Sequence, residues 1–318
     1  MKRRGTIYRV PPSFPISFFQ FRISISPRHL PRIELLPQVM MADPIPLRRD
    51  SFLARHPVST YFALTFAVSW LSAFAVAAPH LFRGEGIPKF AGLMMFPAML
   101  LGPSIVGIVL MRIVDGPGGL RDLFSRMRRV RFPPRWYAAL FIPPVLVLTV
   151  LLCMKTFVSP VFAPNRFFIG LGFGFVAGFF EEIGWMGFAF PKMRRPGNAM
   201  APAILLGLLW SAWHIPVIDY LGTSTPHAAY WLPFFLAFTA AMTAMRVLIA
   251  WTYTNTNSIL LAQLLHATST GSLVVFSPPH VSAAQESLWY ALYASVLWLF
   301  VALIAAVFGK RLALQSDE

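Results

Sequence analysis

The sequence predicts an all-α, polytopic bundle of about eight transmembrane helices with both termini in the cytoplasm. Three observations predict it. Of 318 residues, 57% are hydrophobic and only 12% charged, with a mean hydropathy of +0.63, whereas a soluble domain carries about a quarter charged residues. Apolar windows near the roughly 20 residues that a bilayer helix needs recur along the chain. The basic residues fall in alternate loops, as the positive-inside rule requires.

The windows lie near 61–79, 90–114, 136–157, 167–190, 201–218, 231–253, 257–276 and 286–308. Pro143 and Pro144 are expected to interrupt the third. Ten Lys and Arg precede the first window, six lie in 115–135, three in 191–200 and two after the last. Loops of the other parity hold Arg83, Lys89, Lys155 and Arg166. The net charge of +15 therefore reads as topological, which argues against a nucleic-acid-binding role. No internal repeat of solenoid period is present, and the single Cys153 can form no internal disulfide.

Residues 1–56 read as a basic, Pro- and Ser-rich tail, 57–310 as the bundle and 311–318 as a short terminal tail. Translation is expected to start at Met40 or Met41; a transit peptide would share the tail's Arg and Ser bias. In GLRDLFSRMRRVRF, Leu120, Leu123, Phe124 and Met127 recur at helical spacing with arginines opposite. This predicts an amphipathic helix on the lipid headgroups, with a solvated basic loop as the alternative. Gly170, Gly174 and Gly178 share one face of the fourth window, so another helix can approach it closely. His227, in the polar hairpin DYLGTSTPHAAYW, is expected to be solvated.

Ionisable groups inside a bilayer are functional candidates by default. Here they are few: Glu181 and Glu182 among the acids, His214 and His266 among the histidines, and Arg246 as the basic residue nearest mid-span. At 1.5 Å per residue, Glu181 lies roughly 10 to 15 Å, His266 about 13 Å and His214 about 20 Å above the cytoplasmic face. Consecutive helical residues point about 100° apart, so Glu181 and Glu182 cannot face one spot. Trp210 and His214 share a face at i,i+4, as do His266 and Thr270.

A glutamate withdrawn from water is a stronger base, suited to activating water. A histidine can orient that water, and a second one with a hydroxyl partner can stabilise an oxyanion. Glu181, His214 and His266 equally match the two-His, one-carboxylate pattern of a divalent metal such as zinc. There is no HExxH and no pair of intramembrane Asp. A proton-coupled transporter is the rival from another class.

Glu181-Glu182 followed at Met186, then Trp210-x-x-x-His214, then His266-x-x-x-Thr270, resembles the CPBP family. These are intramembrane proteases of the CAAX-protease and bacteriocin-processing group, with the pattern EExxxR, FxxxH and HxxxN or D. The resemblance covers 165–276. It implies a bundle of about eight helices and hydrolysis of a peptide bond in a membrane-associated protein or peptide. It further implies Glu181 as water-activating base, His214 as its partner, and His266 with position 270 on the oxyanion side. The family is described both as metal-dependent and as glutamate-dependent, so the cofactor stays open. A multi-pass protein in the plasma membrane, if bacterial, is the corresponding localisation.

Two positions depart from the pattern: Met186 replaces its arginine and Thr270 its amide or carboxylate. An uncompensated Glu182 would be costly in the bilayer, so Arg246 is expected to pair with it. The departures also admit a non-catalytic relative, as in bacteriocin immunity or scaffolding.

Overall fold

The computed structural model describes residues 52–313. Most of the N-terminal tail, the start expected at Met40 or Met41, and residues 314–318 lie outside the described residues. Within them the chain is helical, with no strand beyond one isolated bridge at Arg195 and Asn198. After a helical turn at Phe52–Arg55, the principal helices are α1 (Pro57–Leu81), α2 (Lys89–Val114), α3 (Gly116–Met127), α4 (Pro134–Phe157) and α5 (Gly170–Gly184). Beyond these come α6 (Met200–Trp213), α7 (Trp231–Thr256), α8 (Ile259–Phe276) and α9 (Ala283–Phe308).

Among the described residues six segments are long and apolar enough to cross a membrane, starting at residues 57, 89, 134, 228, 259 and 283. The protein is an integral, multi-pass membrane protein. The other two apolar windows take a different form. The 167–190 window is divided, because α5 ends at Gly184 and a π turn at Trp185–Ala189 links it to Phe190–Met193. The 201–218 window yields a 14-residue helix, because Pro216 lacks an amide hydrogen and the chain passes into a 3₁₀ turn at Ile215–Tyr220. Pro143 and Pro144 do not interrupt α4. They sit in the first turn of its α-helical part, where a missing N–H costs nothing, after a 3₁₀ turn at Pro134–Phe141.

Helix ends are set locally. Asn257 ends α7 in the left-handed region (φ 50°). Ser258 then caps α8, its Oγ accepting from Leu261 N at 3.1 Å, so α7 and α8 form a tight hairpin. Ser282 and Gln285 form a capping box at the start of α9.

The most extensive helix pairing among the described residues is α5 on α8. A Cβ added at Gly178 would stand 2.7 Å from Ala267 N, and one at Gly174 2.7 Å from Gly271 Cα. The glycine face therefore meets another helix backbone, and Gln263 Nε2 reinforces the contact by donating to Phe179 O at 2.8 Å. From the other side Ser104 Oγ of α2 donates to Phe180 O at 2.7 Å. The two carbonyls just before Glu181 are thus gripped by neighbours on both flanks.

Two sequence expectations are corrected. Arg126 of α3 does not lie on the headgroup side: it is 5% exposed and turned inward. It donates to Asp122 Oδ2 (2.7 Å), Tyr253 OH (2.6 Å) and Gly187 O (3.0 Å), because the π turn leaves carbonyls that need a donor. His227 is not solvated but fully buried. Its ring stacks on Phe234 at 3.9 Å and lies 3.2 Å from Asp219 Oδ1 and 3.4 Å from Glu286 Oε2. Glu286, buried at the start of α9, also accepts the N–H groups of Thr223 and Ser224, which folds the hairpin onto α9.

Replacing Gly178 with leucine should separate α5 from α8 and cost about 1–3 kcal/mol or more. Thermal unfolding in detergent micelles checks this, with Gly172→Leu as control, because a Cβ at Gly172 meets nothing within 4 Å.

Candidate active site

Four elements carry the candidate site residues: α5 brings Glu181 and Glu182, the end of α6 brings Trp210 and His214, α7 brings Arg246, and α8 brings His266. Glu181, Glu182 and Arg246 are fully buried, with His266 1% and His214 5% exposed. The two carboxylates have separate partners.

Glu182 lies between two cationic or protonatable groups. Arg246 Nη1 donates to its Oε1 at 2.7 Å and its Oε2 at 2.8 Å, and His266 Nδ1 lies 2.7 Å from Oε1. The expected pairing with Arg246 is therefore present. It carries the charge that the EExxxR pattern would place at position 186. Met186 itself is fully buried inside the π turn. Arg246 can reach because α6 leaves room: a Cβ at Gly207 would come 2.7 Å from Thr243 Cα.

Glu181 is held by indoles. Trp210 Nε1 donates to Oε2 at 2.6 Å and Trp185 Nε1 to the same oxygen at 3.1 Å. Its Oε1 is buried and has no hydrogen-bond partner among the described residues. Burial of a carboxylate is tolerable only when donors compensate it, and here both donors converge on one oxygen and leave the other available.

Trp210 is the hub of the cluster. Besides binding Glu181, its ring lies 4.1 Å under the Arg246 guanidinium, a cation–π contact. The ring also packs edge-on against His266, with centroids 5.0 Å apart. Its carbonyl accepts His214 Nδ1 at 2.8 Å. That acceptor is open because the backbone N–H of His214 turns to Ser211 O as α6 tightens. His214 is thereby fixed with its proton on Nδ1, and Nε2 keeps its lone pair. Phe96 stacks against the other side of the ring at 6.0 Å.

The same reasoning bears on His266. Its Nδ1 lies 2.7 Å from a carboxylate oxygen, which can only accept, so Nδ1 carries a proton. Thr270, one turn along α8, is half-buried, and its hydroxyl makes no hydrogen bond among the described residues.

Among the described residues no three His, Cys, Asp or Glu side chains form a group able to hold an ion. His266 Nδ1 faces a carboxylate and His214 Nδ1 a backbone carbonyl, contacts that leave the Nε2 atoms as the ones able to bind an ion. Glu181, His214 and His266 border one cluster without being assembled as ligands.

Sequence reasoning brought Glu181, Glu182, His214, His266, Arg246 and Trp210 to one region, with Thr270 at its edge. It missed Trp185, although the i,i+4 spacing from Glu181 was a usable signal. It also missed Phe96 and the inward role of Arg126, for which only the fold supplies a signal.

Bundle and cluster together define a class: a multi-pass membrane protein with a charge-paired Glu/His site buried among its helices. Residues 163–272 match the family described as type II CAAX prenyl endopeptidase Rce1-like. The chain is also 27% identical over 228 residues to "CAAX prenyl protease 2" of Methanococcus maripaludis, covering 65% of this chain and 80% of that protein. Both comparisons support a likeness to the CPBP group, the CAAX-protease family of membrane proteins.

Replacing Arg246 with methionine should cost about 3–5 kcal/mol, because it strands a buried carboxylate. Adding Glu182→Gln in that background should recover a large part of the loss. A double-mutant cycle by thermal unfolding measures both.

Proposed function

We propose that the protein is an intramembrane endopeptidase of the CAAX type, with Glu181 activating the attacking water. The observation that carries this reading is the division between the adjacent carboxylates. Glu182 is neutralised by Arg246 and serves as a scaffold, whereas Glu181 keeps one buried oxygen without a hydrogen-bond partner among the described residues. A base in that setting can take a proton from water as the oxygen attacks the scissile carbonyl, then return it to the departing amine. His214, with Nε2 unprotonated, is suited to orient the same water. His266, whose Nδ1 lies against Glu182 and whose ring packs on Trp210, borders the same centre on the side the resemblance assigns to the oxyanion.

The substrate would be a membrane-associated protein or peptide, cleaved where it enters the bundle from the bilayer. The relative's name specifies a prenyl substrate, and a prenylated C-terminus is accordingly the first class to try. Thr270 favours a second reading: its hydroxyl offers less reach than the family's amide or carboxylate. A non-catalytic relative would keep the cluster for stability alone.

The test compares membrane proteomes of cells carrying wild type, Glu181→Ala, His214→Ala or His266→Ala, scored for new substrate termini. Each variant should lose the same cleavage products, and purified Glu181→Ala should cleave about 10²- to 10⁴-fold more slowly, the range for a general base. Termini unchanged in all three would leave the scaffold reading in its place.

A further inference from the structure

At the basic end of the bundle, where the positive-inside rule places the cytoplasm, there is a cavity of about 820 Å³. Arg126, Lys192, Arg194, Arg195 and Arg311 line it. Two of these cations are matched: Arg126 by Asp122 at 2.7 Å and Lys192 by Asp115 at 2.8 Å. Arg194 lies against the Phe190 ring at 6.0 Å. Neither it nor Arg195 nor Arg311 has a carboxylate partner among the described residues. Asp115 and Asp122 also line the cavity, but both are taken up by Lys192 and Arg126, so three positive charges remain there without a paired carboxylate.

A second recess of about 670 Å³ adjoins it, sharing Lys192, Arg194, Arg195 and Asn198. Its walls are apolar: Val58 and Phe62 of α1 face Pro202, Leu205 and Leu209 of α6. Leu205 is 51% exposed, so the recess opens on the surface that lipid covers. One compartment asks for an anion and the other for hydrocarbon, so a ligand that satisfies both is an anionic amphiphile.

We propose that the two recesses are one binding site for an anionic phospholipid. Its phosphate is received by Arg194, Arg195 and Arg311, and an acyl chain lies between α1 and α6. Membrane location argues for a lipid over a soluble anion, since the apolar recess would otherwise stay unfilled.

The site adjoins the buried cluster by two routes. Arg126, in the cavity wall, holds the π turn through Gly187 O. Phe62, in the apolar wall, stacks on Trp185 at 6.0 Å, and Trp185 donates to Glu181. A bound chain against Phe62 restrains the indole that positions the carboxylate.

The test needs no substrate. The full chain in neutral detergent is titrated with phosphatidylglycerol or phosphatidylcholine in mixed micelles. Unfolding is followed by tryptophan fluorescence, and retained lipid by native mass spectrometry. Phosphatidylglycerol should be retained and raise the unfolding midpoint, and phosphatidylcholine should do neither. Arg194→Gln with Arg195→Gln replaces exposed side chains and should weaken phosphatidylglycerol about 25-fold, roughly fivefold per arginine. Leu205→Trp, which fills the apolar recess, should weaken it with the arginines intact. Three results would overturn the proposal: wild-type affinity in the folded double-arginine variant, equal stabilisation by inorganic phosphate, or stabilisation only by a peptide with a free C-terminal carboxylate.

Discussion

A carboxylate sealed away from water dictates its surroundings, and Glu182 is that carboxylate here. Removing such a group from solvent costs several kcal/mol even after relaxation. The cost is tolerable only if Arg246 of α7 and His266 of α8 arrive at hydrogen-bonding distance of α5. Three helices must therefore converge closely, and small residues permit it: Gly174 and Gly178 admit α8 to α5, and Gly207 admits α7 to α6. The ion cluster and the glycine faces are two halves of one constraint, since neither is stable without the other.

Glu181 is treated differently one residue away because helical geometry turns it by about 100°. It meets aromatic donors rather than cations. Trp210 couples the two environments by binding Glu181 through its indole N–H and covering Arg246 with its ring. The π turn that follows widens the helix after Trp185 and leaves carbonyls for Arg126. Such turns recur at functional sites because they re-aim side chains without ending the helix.

Much of this was legible in the sequence because the bilayer makes ionisable residues informative. Glu181, Glu182, His214, His266 and Arg246 stood out as the few charges in apolar windows, and the absence of arginine at 186 pointed to Arg246. The glycine face also read correctly, since i,i+4 spacing alone defines it. Partners brought together by tertiary packing were not legible. His227 sits in a polar loop, and nothing local announces that Glu286 and Phe234 enclose it. Arg126 looked like one more headgroup arginine, because the carbonyls it binds exist only once the π turn forms. The windows at 167–190 and 201–218 had the right hydropathy, but neither the π turn nor the early end of α6 leaves a periodicity signal. Pro216 was the one local clue to the second.

The central claim is that adjacent glutamates do separate work, Glu182 holding the bundle together and Glu181 kept available for chemistry. Comparing the unfolding midpoints of Glu181→Gln and Glu182→Gln under identical detergent conditions tests it most directly. The account predicts that Glu182→Gln unfolds well below wild type, because Arg246 loses its counter-charge, while Glu181→Gln unfolds at or above the wild-type temperature. Equal losses in the two variants, or a loss confined to Glu181→Gln, would contradict it.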